Sequence, residues 1–162
     1  MTMKKWLSIL FFLAVPVWAS PMADLTLVGE GGMRWLFWDL YHARLYSDDG
    51  RYRPGVFPQA LALRYQRDIE QAELLRATVE EWRRLGVDWR PEWHRQLRRL
   101  WPSVRKQDEL VLRVEASGIS RFYFNRQLLG EIADPAFGPA FLAIWLSPDS
   151  RDPALTRQLK GN

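Results

Sequence analysis

Ala60-Leu-Ala-Leu-Arg-Tyr-Gln66, followed after Arg67 by Asp68-Ile-Glu-Gln-Ala-Glu-Leu-Leu-Arg-Ala-Thr-Val-Glu-Glu-Trp-Arg-Arg-Leu-Gly86, is where the chain changes period. In the first run Leu61, Leu63 and Tyr65 alternate with Ala62, Arg64 and Gln66, the pattern of a strand with one face buried. In the second, Leu75, Val79 and Trp82 recur at helical spacing, while Glu73, Arg76, Glu80, Arg83 and Arg84 take the other side. Asp68 is placed to cap this helix, with Gln71 completing a capping box. Gly86 supplies a left-handed stop after Leu85.

Upstream, residues 24–29 and 33–46 are rich in Leu, Val, Trp, Phe and Tyr, with Gly29, Gly31 and Gly32 between them. They read as two strands joined by a glycine turn. Ser47-Asp48-Asp49-Gly50 closes the second. Downstream, a second helix begins at Pro91, carries Trp93, Leu97 and Trp101 inward, and ends at Pro102. Strands return at 109–116, 119–124 and 127–132, linked by Ser117-Gly118 and Asn125-Arg126. Asp134-Pro135 opens a helix to about Leu146 with Phe137, Phe141, Ile144 and Trp145 on its apolar face, and Pro139 predicts an irregular first turn. Asp152-Pro153 opens a last short helix ending near Gly161. Hairpin strands with segregated helix pairs predict an α+β fold with a mostly antiparallel sheet.

The 162 residues suit one domain, and no repeat or long linker divides them. The absence of cysteine excludes a disulfide scaffold, a thiolate metal site, a cysteine nucleophile and a lipoprotein anchor. His42 and His94 are the only imidazoles, so no metal site is expected. No glycine-rich phosphate loop or serine nucleophile motif occurs, and no cofactor is expected.

The amino terminus has the three-part form of a secretory signal peptide. Lys4 and Lys5 are the basic start, Trp6 to Val15 is apolar except for Ser8, and Val17-Trp18-Ala19 is a small-residue cleavage pattern. The alternative is a membrane anchor or a buried first helix, but Pro16 interrupts a stretch short of the ~20 residues that span a bilayer. Residues 1–19 are therefore read as a signal peptide and 20–162 as the single mature domain. Losing Lys4 and Lys5 lowers the formal charge from +4 to +2. An exported protein without cystines fits a bacterial periplasm.

Several runs resemble the bacterial, exported chalcone isomerase-like proteins. They are Arg34-Trp-Leu-Phe-Trp-Asp-Leu-Tyr-His-Ala-Arg-Leu-Tyr46, Tyr65-Gln-Arg-Asp-Ile69, Phe122-Tyr-Phe-Asn-Arg-Gln-Leu-Leu-Gly-Glu-Ile132 with Asp134-Pro135-Ala-Phe137, and Ala143-Ile-Trp-Leu146. The resemblance implies an open-faced β-sandwich, a large antiparallel sheet covered on one face by helices, with a ligand cleft between the layers. Relatives of that family in plants divide into isomerases that close a flavanone ring and non-catalytic members that bind fatty acids. The enzymes use an arginine and a threonine from early strands, and a tyrosine and an asparagine from the helical layer. By resemblance Arg34 matches the arginine, and Tyr41 stands where the threonine would be. With Trp82 aligned to the helix tryptophan of the plant enzymes, Glu70 and Ala77 replace the other two.

Arg34 is thus expected to hold the acidic group of a small amphiphilic or aromatic acid such as a fatty acid, since its planar fork suits bidentate anion binding. The alternative is an edge arginine lying over aromatic surface. Trp38 and Tyr41 are expected to line the same cleft. Arg34 and Tyr41 would face opposite sides of an unbroken strand, so a bulge near Asp39 is required. Tyr46, Arg121 and Tyr123 are weaker candidates for the wall. Residues 83–106 carry eight basic residues against two acidic ones, a net of +6. Export argues against a nucleic-acid partner, and a membrane-surface or protein contact through Arg83, Arg84, Arg95, Arg98 and Arg99 is the alternative to a solvated helix face.

The leading reading is an exported small-ligand-binding domain, non-catalytic in the main. Its alternatives are a chalcone-type intramolecular lyase and a cell-envelope interaction protein.

Overall fold

The structure, a computed structural model, describes residues 19–162. The expected signal peptide lies outside the described residues except for Ala19. Six strands, β1 (Thr26–Trp35), β2 (Trp38–Ser47), β3 (Gln59–Tyr65), β4 (Glu109–Val114), β5 (Ser120–Phe124) and β6 (Gln127–Ile132), form one antiparallel meander in chain order. β1 and β6 are its two edges and do not meet, so the sheet stays open. Helices α1 (Gln71–Arg84), α2 (Pro91–Leu100), α3 (Phe137–Leu146) and α4 (Pro153–Leu159) complete the domain.

Alternation decides which side of the sheet is covered. Leu61, Leu63 and Tyr65 of β3, Leu110, Leu112 and Val114 of β4, and Phe122 of β5 are buried in one core with the helices. From α1 come Leu75, Val79 and Trp82, from α2 Trp93 and Leu97, and from α3 Phe137, Phe141 and Trp145. The outer face is polar. Glu30 pairs with Arg44 and lies 3.2 Å from His42, Arg64 pairs with Glu109, and Arg121 bridges Glu115 and Glu131. Tyr46 and Tyr123 lie on this outer face against Ala60, Ala62 and Val111, and Arg121 is in its ion-pair network, so none of these three lines the cleft.

Part of the outer face carries a strap. Met22 and Leu25 pack over Ala60, Ala62 and Val111, which buries β3 on both sides where the sequence predicts half burial. Arg113 fastens the strap, donating to the Pro21 carbonyl at 2.8 Å and to the two Asp24 oxygens at 2.6 and 2.8 Å. The guanidinium holds the Asp24 carboxyl down to about 2. A depressed carboxyl stabilises above its unfolded pKa of about 3.9, and the contribution is lost as pH falls through the folded value. Acidification from about pH 4 to about 2 is therefore expected to loosen the strap, read as random-coil shifts of the Met22 methyl in NMR. Asp24→Asn should remove that pH dependence. A Met22 signal indifferent to both would mean that the pair does not hold the strap.

Two local expectations are corrected. The glycines do not make the first turn: β1 runs through Gly29, Gly31 and Gly32, and the chain reverses at Leu36-Phe37. Gly29 and Gly31 are strand glycines because α4 lies on them, and a Cβ at Gly29 would stand 2.0 Å from the Gln158 carbonyl oxygen, whereas Gly32 has no such neighbour. Asp68 does not cap α1; its carboxylate accepts the Lys106 amide at 2.8 Å. The Gln71 amide at the start of α1 donates instead to the Ser103 hydroxyl at 2.9 Å, a cap supplied by a residue 32 positions away.

Candidate functional site

A cleft of about 490 Å³ opens between the tyrosine-bearing ends of β2 and β3 and the helices α1 and α3. Such a volume falls in the range of small-molecule sites. Its apolar wall comes from Met33, Leu40 and Leu63 of the sheet side and Leu74, Ala77 and Ile144 of the helices. Trp35 and Trp101 add aromatic surface. The buried Trp101 indole N–H has no hydrogen-bond partner among the described residues.

The polar end is built by strand register. Tyr41 and Tyr65 are direct partners across β2 and β3, with ring centroids 6.0 Å apart and edge to face. Both side chains therefore lie on the helix-covered face. The Tyr41 hydroxyl accepts the Trp145 indole N–H at 2.8 Å, which leaves its own proton free to donate. The Tyr65 hydroxyl has no hydrogen-bond partner among the described residues. Burial pushes both phenols well above their usual range, so each is a neutral donor at any physiological pH.

Charges stand at the rim. Burial alone would raise the Glu81 carboxyl, but the Arg84 and Arg151 guanidiniums beside it outweigh that and hold it low. Arg151 also lies over the Trp35 ring, 5.7 Å from its centroid, so the Glu81–Arg151–Trp35 chain ties α1 to the β1–β2 hairpin. Arg76 meets Glu80 only at 3.8 Å, and Arg67 has no ion-pair partner among the described residues. Both line the cleft together with Glu73 and Glu80, so with Arg151 and Glu81 the lining carries three guanidiniums against three carboxylates.

The three residues expected at the site are separated. Tyr41 lines the cleft. Arg34 does not: its side chain is 70% exposed and its Nε lies 3.0 Å from Asp39. Trp38 is 63% exposed, outside the lining. A bulge is present where one is required, because Met33 pairs with Tyr41 and Arg34 with Asp39, skipping Leu40. It turns Leu40 together with Tyr41 toward the cleft, while ordinary alternation along β1 sends Met33 and Trp35 inward and Arg34 out. Of the two residues matched to the enzymes' helical pair, Ala77 lines the cleft, whereas Glu70 accepts a hydrogen bond from Ser103 at 3.0 Å outside it.

Tyr65 is the residue that sequence reasoning left out. Its signal is its place at the cleft end of the Leu61-Leu63-Tyr65 face, where the alternation carries a hydroxyl inward behind two leucines. Arg67 reads in sequence with Asp68 as the end of a strand and a helix cap, and Arg151 gives no signal because it sits in a loop between helices.

The basic stretch occupies the exposed sides of α1 and α2. Arg95 and Arg99 share Glu92, Arg84 bonds Glu81 and the Asp149 carbonyl, and Arg83 lies over Trp89.

A sequence model described as chalcone isomerase-like matches residues 18–161. An uncharacterised protein of Haemophilus influenzae is 26% identical over 145 residues, covering 88% of this chain and 71% of that protein. The crystal structure of a fatty-acid binding protein of Arabidopsis thaliana superposes with a TM-score of 0.68 over 89% of this chain and 90% of its own, at 11% identity. At that identity the likeness speaks for the fold.

Proposed function

The chain belongs to the chalcone isomerase-like family, and from that premise we propose that its cleft binds the acid end of a small amphiphile, such as a fatty acid, without catalysing a reaction on it. The observation that carries this reading is the opposed pair Tyr41 and Tyr65. Two neutral hydroxyl donors on neighbouring strands line one cleft, one oriented by Trp145 and the other unpartnered among the described residues. A carboxylate accepts such donors without a buried cation, whose desolvation would be costly. Arg67, which has no ion-pair partner among the described residues, is the cation at the rim for an arriving anion to meet. The fatty acid named for the Arabidopsis protein suits the same shape.

The test is titration with decanoate and with decanol. A hydrogen bond to a charged group contributes about 1.5–3 kcal/mol, so Tyr65→Phe should weaken decanoate by roughly tenfold or more and spare decanol. Arg34→Gln, outside the lining, should change neither by as much as about twofold. Unchanged decanoate affinity in Tyr65→Phe would remove the pair from the site, and a tenfold loss in Arg34→Gln would return the acid to the hairpin.

An isomerase is disfavoured by what stands in the cleft. Tyr41 and Ala77 occupy the places matched to a threonine and an asparagine of the enzymes, and Glu70 is turned away. Chalcone ring closure is expected to run no faster than in an inactive control, and stereoselective turnover would reverse the ranking.

Export to the periplasm through a signal peptide at residues 1–19 is part of the proposal. The strap supports it, because the chain is anchored to the sheet directly beyond Ala19, by Arg113 on Pro21 and Asp24. Amino-terminal sequencing of the secreted protein should read Ser20 first. A second reading, contact of the basic helical face with an anionic surface, is favoured by an open groove of about 690 Å³ between α1 and α2 that gathers Arg76, Arg83 and Arg98 against Glu80.

A further inference from the structure

The β1–β2 reversal exposes Trp35, Leu36, Phe37 and Trp38 in one run, at 52%, 76%, 91% and 63%. Elsewhere among the described residues, exposed large hydrophobics are single and scattered: Leu27, Val56 and Leu128. The turn chemistry is unfavourable as well. Trp35 pairs with Trp38, leaving a two-residue connection whose first residue, Leu36, has φ of 55°. Glycine is the favoured residue there, and leucine is strained. A hairpin that needed only to turn would carry neither residue.

We infer that this tip inserts shallowly into a lipid bilayer and forms the lip through which an amphiphile passes between the bilayer and the cleft. The inference rests on the proposed amphiphile-binding reading of the cleft. The order of the residues matches the depth profile of a membrane surface. Leu36 and Phe37 are at the apex, where hydrocarbon would be met, and a tryptophan flanks each side at the headgroup level that indole prefers. Cations stand at the neck. Arg34 lies beside Trp35 with Asp39 3.0 Å from its Nε, Arg151 lies over the Trp35 ring and pairs with Glu81, and Arg67 follows Gln66, whose amide donates to the Leu40 carbonyl at the base of the hairpin. Of the three, Arg67 has no ion pair among the described residues, and it is the guanidinium left to meet a lipid phosphate. The tip and the cleft are also continuous, because Trp35 belongs to both. An acyl chain leaving a bilayer at the tip would reach the apolar wall along that indole without crossing water.

The experiment uses protein purified from its own host and vesicles of phosphatidylethanolamine and phosphatidylglycerol. Wild type should sediment with the vesicles, and its tryptophan emission should shift to the blue. Leu36→Gly with Phe37→Ser installs the favoured turn residue and removes the apolar apex. It should lose at least about tenfold in vesicle partitioning, about 1.4 kcal/mol, with a thermal melt no lower than that of wild type. Phe37→Asp alone, at the most exposed position, should show the same loss without touching the Leu36 backbone. Decanoate titrated without vesicles should bind wild type and both variants equally. Equal sedimentation of wild type and variants would overturn the inference, as would wild type that stays in solution. So would self-association abolished by the same substitutions, which would make the tip a contact between copies. Tip-dependent sedimentation with no decanoate binding by any of the proteins would uphold the bilayer contact and sink the cleft reading, so the two fail separately.

Discussion

Trp82→Ala is expected to destabilise the protein by about 3–5 kcal/mol, the range for truncating a fully buried tryptophan. Trp82 is 0% exposed and lies where α1, α2 and α3 converge. Its ring stacks on Trp89 at 6.1 Å and meets Trp93 and Phe137 edge to face at 5.5 and 6.1 Å. Its indole N–H donates to the Ala140 carbonyl at 2.9 Å, so the side chain fixes α1 to α3 by direction as well as by area. Alanine leaves a cavity bounded by three other rings, and rigid rings collapse poorly into a void. The measurement is the denaturant midpoint with an unchanged slope. A loss under about 1 kcal/mol would mean that the helical layer is packed from another face. The consequence reaches the cleft, because α1 supplies Leu74 and Ala77 to its wall and Glu81 to its rim.

What could be read from the sequence follows the range of the forces involved. The α1 stripe of Leu75, Val79 and Trp82, the Pro91 start of α2 and the alternation of β3 are set within a few residues of chain, and the structure has them. The cap of α1 is set across 32 residues by Ser103, and Asp68, the local candidate, serves another loop. The glycines of β1 mislead for the same reason. At Gly29 and Gly31 their meaning lies in α4, more than 100 residues away, and a glycine kept for close approach looks in sequence like one kept for a turn. The site divides in the same way. A bulge near Asp39 was required by alternation, but which neighbours it turns inward depends on the pairing of Met33 with Tyr41, visible only in the sheet. Tyr65 becomes a site residue because register sets it opposite Tyr41.

The glycines of β1 also give the sharpest expected contrast between neighbours in one strand. Gly29→Val should cost about 3 kcal/mol or more, at or beyond the upper end for overpacking, because the obstacle is backbone. Its Cβ would lie 2.0 Å from the Gln158 carbonyl oxygen and 2.9 Å from that of Leu159. A side chain there can turn aside, but a helix carbonyl moves only if α4 moves with it. Leu155 and Leu159 would then leave the core, where they are 2% and 0% exposed, and Arg151, just ahead of α4, would shift from Trp35 and Glu81. Gly31→Ala should cost less. Its Cβ meets the Gln158 Oε1 at 2.1 Å and the Leu155 Cδ1 at 2.9 Å, both ends of side chains, and the glutamine can swing to solvent. Gly32→Ala should be neutral or stabilise by about 0.4–1 kcal/mol, because a Cβ there meets nothing nearer than the Tyr41 carbonyl at 4.0 Å and the unfolded chain loses freedom. Denaturant titration of the three variants, with limited proteolysis at α4, should rank them Gly29, Gly31, Gly32. Equal losses at Gly29 and Gly32 would trace the cost to the strand backbone alone, and α4 would not be what keeps β1 free of side chains.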